Sequence, residues 1–234
     1  MGKLIVIAAL ALTAVACTTG STGNSGTAVT ILIDITDTSL MEIDARDVLD
    51  VAYPDNKHAD ELMLSISPVS DMRTTPLYER TIPAESFLLG NPNRRKKYIK
   101  EVCSKVDSVL HFTYSHQIQR NESYIMLPIV QRVKDLLEQN VSEHVLIVDS
   151  DLMENTSEWC CYQAKRFQEI QDTPEKALTA MLKGKKFPDV TGLKVYLVHL
   201  PRSSEDDQHF AVMSEFYRYV FEKHGAQVTI RTNL

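Results

Sequence analysis

No Gly-x-Gly-x-x-Gly, phosphate-loop or Gly-x-Ser-x-Gly pattern occurs in this sequence, so dinucleotide, nucleotide and serine-hydrolase chemistry have no motif to rest on. Its seven histidines are scattered and form no His-Glu-x-x-His, which argues against a zinc hydrolase. With four cysteines in 234 residues the chain is no disulfide-dense miniprotein. The adjacent pair Cys160-Cys161 lacks the two-residue gap that lets both thiolates reach one zinc ion. Excess positive charge is missing too: 31 acidic against 25 basic side chains give a net charge of -6, which offers phosphate backbones no net attraction and disfavours nucleic acid as a partner. The one dense basic run, Arg94-Arg95-Lys96-Lys97, reads as the solvated face of a helix, with a contact to phosphate-bearing glycans or lipid headgroups as the alternative. What is present, 44% hydrophobic and 24% charged residues, excludes a disordered or collagen-like chain and suits one or two globular domains.

The longest apolar stretch, Leu4 to Leu12, falls short of the roughly 20 residues of a comfortable membrane span. It follows Met1-Gly2-Lys3 and precedes the small-residue segment Ala14-Val15-Ala16-Cys17, the pattern of a secretory signal peptide over residues 1–16. Cys17 directly after Ala-Val-Ala resembles the lipobox of bacterial lipoproteins, with Ala14 where Leu is usual. The resemblance implies that Cys17 is the lipidated first residue of a protein anchored in the bacterial cell envelope, facing the periplasm or the exterior. Ordinary cleavage near Ala16 is the alternative. Residues 17–27, rich in Thr, Gly and Ser, read as a flexible tether. Removing residues 1–16 takes away one lysine and leaves the exported part more acidic.

From residue 28 to 234 a single α/β domain is expected. Val29-Thr30-Ile31-Leu32-Ile33-Asp34 is a β-branched run suited to a strand buried on both faces. Similar runs lie at Leu62 to Ile66, His144 to Asp149, Leu193 to Val198 and Gln227 to Ile230, with a short edge strand over Thr81 to Phe87. Between them, residues 94–110, 126–137 and 210–221 repeat apolar positions at three- and four-residue spacing, and further helices are expected over Trp159 to Ile170 and Pro174 to Leu182. Strands alternating with amphipathic helices predict a doubly wound, mainly parallel central sheet with helices on both faces. Cys103 reads either as a buried thiol on its helix or as the partner of Cys160 or Cys161 in a disulfide. Trp159, the sole tryptophan, reads as a packing residue, with a place on a recognition surface as the alternative.

Ligands of open parallel sheets gather beyond the carboxyl ends of the strands, where the strand order reverses. Two buried runs end in acids there, Asp34-Ile35-Thr36-Asp37-Thr38-Ser39 and Asp149-Ser150-Asp151. Carboxylates and hydroxyls meeting at one point are hard oxygen ligands suited to Mg²⁺, Mn²⁺ or Ca²⁺. Here the chain resembles a von Willebrand factor A-like domain. Asp34-Ile35-Thr36-Asp37-Thr38 is similar to that family's Asp-x-Ser-x-Ser adhesion motif, with threonines for serines. Ser123 stands ahead of the 126–137 helix where the family has a Thr, and Ser150-Asp151 matches its Thr/Ser-Asp-Gly, with Leu152 in place of Gly. The resemblance implies a Rossmann-type three-layer sandwich and an adhesion-type binding module, not an enzyme. It also implies a divalent cation, foremost Mg²⁺, held by Asp34, Thr36, Thr38, Ser123 and Asp151. An acidic group of a protein or other ligand would meet that cation, while Asp37, Ser39 and Asp149 support the ligands or cap turns. Two alternatives share these residues. In a haloacid dehalogenase-like Mg²⁺-dependent phosphohydrolase Asp34 is the nucleophile and Asp149 and Asp151 hold the ion, although Thr36 stands where a general acid is needed. In a metal-free scaffold the fold alone is kept.

Overall fold

A computed structural model describes residues 24–37, 40–52, 60–86, 90–232 and 234. The signal segment, Cys17, Thr38 and Ser39 lie outside the described residues. In chain order the elements are β1 (Asn24–Asp34), α1 (Ala45–Ala52), β2 (Glu61–Val69), β3 (Tyr78–Ile82), α2 (Pro92–Ser115), α3 (Met126–Leu137), β4 (Val141–Asp149), α4 (Ala164–Asp172), α5 (Pro174–Met181), β5 (Leu193–Val198), α6 (Ser204–Lys223) and β6 (Gln227–Arg231).

The six strands form one sheet in the order β3-β2-β1-β4-β5-β6, parallel throughout except for β3, which runs antiparallel to β2. β1 is central because its apolar run fills both faces of the sheet. Ala28 and Leu32 point toward α3, α4, α5 and α6, while Val29, Ile31 and Ile33 point toward α1 and α2. Helices therefore cover both faces, and the α/β expectation holds as a six-stranded, mostly parallel sheet between two helical layers. Strand order runs outward from β1 to β3 on one side and from β4 to β6 on the other. It reverses between β1 and β4, so their carboxyl ends bound the crevice where such sheets take ligands.

Several local expectations are corrected. β1 starts at Asn24, inside the segment read as tether, because Ser142 Oγ accepts from Gly26 N and donates to Gly26 O, at 3.2 and 2.9 Å. The edge strand is Tyr78–Ile82, displaced from residues 81–87; only Ile82 of it is buried, so it carries no strong apolar period. α4 begins at Ala164, past Trp159, which is packed in the core with the Arg166 guanidinium 4.9 Å from its ring centroid.

Within the basic run, Arg95 is not a solvated residue. It is buried, and its guanidinium donates to Pro83 O and Asp60 O at 2.8 and 2.7 Å, clamping β3's exit to the chain before β2. No disulfide joins Cys103 to Cys160 or Cys161: all three thiols are free, and the sheet stands between Cys103 on the α2 side and Cys161 in the opposite core. Among the described residues no helix is long and apolar enough to cross a membrane.

Candidate metal centre

Three chain segments meet at the β1–β4 crevice. At the end of β1, Asp34 Oδ1 accepts from Thr36 N at 3.0 Å and from Thr36 Oγ1 at 2.6 Å, a local turn that folds the threonine back over the carboxylate. Thr36 Oγ1 lies 2.8 Å from Ser123 Oγ in the segment before α3. Ser123 is held there by a two-way backbone bridge to Asn155, with N···O distances of 2.7 and 2.9 Å. Beyond β4, Ser150 Oγ donates to Asp34 Oδ2 at 2.9 Å, and Asp151 N donates to Asp37 Oδ2 at 3.1 Å. The expected ligands Asp34, Thr36, Ser123 and Asp151 are thus drawn to one crevice, with Ser150 added; Thr38 lies outside the described residues.

Leu152 stands where the resembled family has Gly, and its backbone adopts the conformation that a glycine would favour, with φ of 63°. Its side chain is fully buried in the α3–α6 core and its N–H donates to Ser150 Oγ at 2.9 Å. Burial of a leucine outweighs a left-handed backbone cost of about 1 kcal/mol, so the turn keeps its shape without glycine.

Electrostatically the crevice is short of cations. Asp34 is 2% exposed, and burial pushes its carboxyl up to about 6, with Asp37 adding to the rise. The carboxyl of partly buried Asp151 is raised well above the usual range, first by desolvation and then by Asp37 and Asp34. Asp149 is raised to about 7, again by burial first, although Met41 N and Tyr114 Oη donate to it at 3.2 and 2.9 Å. Asp149 therefore pins the segment before α1 and the end of α2 to β4, a supporting role. Buried carboxylates of one sign either keep a proton or take a cation. The donor set of carboxylate and hydroxyl oxygens fits a hard divalent ion. Among the described residues no group of three or more His, Cys, Asp or Glu side chains is arranged to hold a metal. The expected set has only two carboxylates and draws its other oxygens from hydroxyls.

Sequence reasoning missed four contributors. His199, directly after β5, lies with Nδ1 3.5 Å from Asp37 Oδ2 and Nε2 3.2 Å from Asp206 Oδ1. Burial opposes its charge, but Asp37 and Asp206 outweigh that and raise its pKa. Tyr162, 62% exposed, reaches Asp151 Oδ2 at 3.4 Å and forms the outer wall. Tyr114 binds Asp149, and buried Glu154 caps α3. His199 was within reach of the same rule that found Asp34, since it too follows a buried strand. The other three sit on helices or loops whose approach depends on the finished fold.

No known family profile and no curated protein matches the chain. Among solved structures, a D319A mutant of the PilB minor pilin from Streptococcus sanguinis is similar at 11% identity and a TM-score of 0.45, covering 91% of this chain and 58% of that one. The chain thus spans less than two thirds of that structure, and a likeness at this level carries no argument about fold family or function.

Proposed function

We propose that the chain is an exported, lipid-anchored binding module of the von Willebrand factor A-like type, which meets its partner through a divalent ion. The observation that carries this reading is the convergence of Asp34, Thr36, Ser123 and Asp151 on the crevice where the strand order reverses. Asp34, Thr36, Thr38, Ser123 and Asp151 would hold the ion, foremost Mg²⁺, with Mn²⁺ or Ca²⁺ as substitutes. The ion supplies positive charge to an otherwise acidic face, and an acidic group of a protein or other ligand is its complement. Asp149 and Asp37 hold the surrounding segments in place. Cys17 would carry the lipid that keeps the domain at the bacterial envelope, at the end of a tether shortened by the early start of β1.

Calorimetric titration with Mg²⁺, Mn²⁺ and Ca²⁺ tests the ion. Saturable uptake of at least one by the purified protein, lost in Asp34→Ala, is the expected result. No uptake of any of the three leaves an ion-free scaffold and defeats the reading. A Cys17→Ser chain should leave the membrane fraction for the soluble one.

A further inference from the structure

We propose that His199 is a positioning residue for the ion site, fixing Asp37 so that Asp37 in turn fixes the backbone of Asp151. This inference rests on the ion reading above.

The imidazole is fully buried at the end of β5, with its ring centroid 4.9 Å from that of Phe210 on α6, so it has no solvent into which to swing. On its far side Nε2 meets Asp206 Oδ1 at 3.2 Å. Asp206 is itself anchored in the first turn of α6: its Oδ2 accepts from Arg202 N at 2.8 Å, and its N donates to the capping Ser203 Oγ at 3.1 Å. On the near side Nδ1, which makes no hydrogen bond among the described residues, faces Asp37 Oδ2 at an ion-pair distance of 3.5 Å, and that same oxygen accepts Asp151 N at 3.1 Å. Among the described residues the side chain of Asp151 is tied locally, through Oδ1 to Met153 N at 2.8 Å and Oδ2 to exposed Tyr162 at 3.4 Å. A change in Asp37 therefore reaches Asp151 through its backbone, and ligand constellations need placement to within about 0.5 Å.

Two effects of His199 have opposite signs. When protonated, the imidazole opposes an ion beside it by Coulomb repulsion. Holding the ligand segment favours it, and partners that orient ligands are commonly worth about 10- to 100-fold in metal affinity. The inference is that positioning outweighs repulsion.

Mn²⁺ titration by calorimetry and electron paramagnetic resonance on the full chain decides this, with circular dichroism to show that each variant is folded. His199→Phe keeps ring packing but loses both ring nitrogens that face Asp37 and Asp206, and His199→Gln can serve only one of the two carboxylates. Mn²⁺ should bind about tenfold or more weakly to His199→Phe, with His199→Gln intermediate. In an Asp37→Ala background the same substitutions should change affinity by less than about twofold, because the shared oxygen that links them is gone. If His199→Phe does not fold, His199→Gln alone carries the decision. Unchanged or tighter Mn²⁺ binding in a folded His199 variant overturns the proposal, tighter binding marking His199 as a repelling charge. An undiminished loss in the Asp37→Ala background overturns it as well. A wild-type chain that takes up no Mn²⁺ defeats both the ion reading and this inference, whereas a Mn²⁺-binding wild type with unaffected His199 variants defeats only the latter.

Discussion

Glu154 offers a test of the site's electrostatics that needs no metal. Its Oε2 accepts from both Ile125 N and Met126 N, at 2.9 and 3.0 Å, and so caps α3, whose own cap residue Ile125 supplies no side-chain bond. Burial raises its pKa from 4.5 to about 7, against the pull of those two amides. Between these values the native state keeps a proton that the unfolded chain has released. Stability therefore falls as pH rises through that window and levels off above it. A shift of this size corresponds to about 3 kcal/mol. Glu154→Gln should abolish this loss, because both amides meet one oxygen and the glutamine carbonyl can replace it. The expected result is a glutamine variant about 3 kcal/mol more stable than wild type at pH 8 and nearly equal to it near pH 4.5. Urea unfolding in a chelator, followed by far-ultraviolet circular dichroism, would read this as a midpoint higher by roughly 1 M at the alkaline end. Asp34, Asp149 and Asp151 slope in the same direction and stay in both proteins, so the difference isolates Glu154. Parallel pH profiles, or a less stable glutamine variant at pH 8, would refute the reasoning.

Arg95→Ala, which strips two backbone carbonyls of a charged donor, should cost about 3 kcal/mol in the same unfolding assay, while exposed Lys96→Ala stays within about 0.5 kcal/mol. Tyr114→Phe removes the donor to Asp149 and the acceptor of Ile43 N; a loss of about 1–3 kcal/mol is expected, and an unchanged melting temperature would contradict the role given to that hydroxyl. Leu152→Gly relieves about 1 kcal/mol of backbone cost but deletes a fully buried side chain, so calorimetric melting should show net destabilisation of roughly 2 kcal/mol or more. A stabilised glycine variant would mean that the turn, not the side chain, dominates there.

Strands were legible wherever burial on two faces wrote a continuous apolar run, as in Val29 to Ile33 and Val145 to Val148, whose registers the sheet then matches directly. α1 was not legible. Its start depends on caps from outside the helix: Asp107 on α2 accepts from Ala45 N at 2.8 Å, and Asp44 accepts from Arg46 N and Asp47 N at 2.8 and 2.9 Å. The long-range member of that set cannot be seen in a local window. β3 escaped for a related reason, since a pairing with β2 and the Arg95 clamp define it more than its own side chains do. At the site, the acids ending β1 and following β4 were found because strand ends carry a general expectation. Glu154 and Tyr114 were not, because a buried carboxyl beneath a helix or a hydroxyl arriving from α2 becomes meaningful only once the layers are stacked.

The pairing at the heart of the crevice also sets an order of events in time. Asp34 and Ser150, which share a hydrogen bond, are 116 residues apart in the chain. At the usual pace of synthesis, about 5–20 residues per second, the far partner emerges roughly 6 to 23 s after the near one. β2, β3 and α2 all follow β1 before then, so the half-sheet on that side has its parts early, while the other flank of β1 waits with apolar residues uncovered. The crevice thus cannot close before β4 has emerged, whereas β5, α6 and β6 are still to come, and a helper that shields the early half until β4 arrives would act on the very strand that later supplies Asp34.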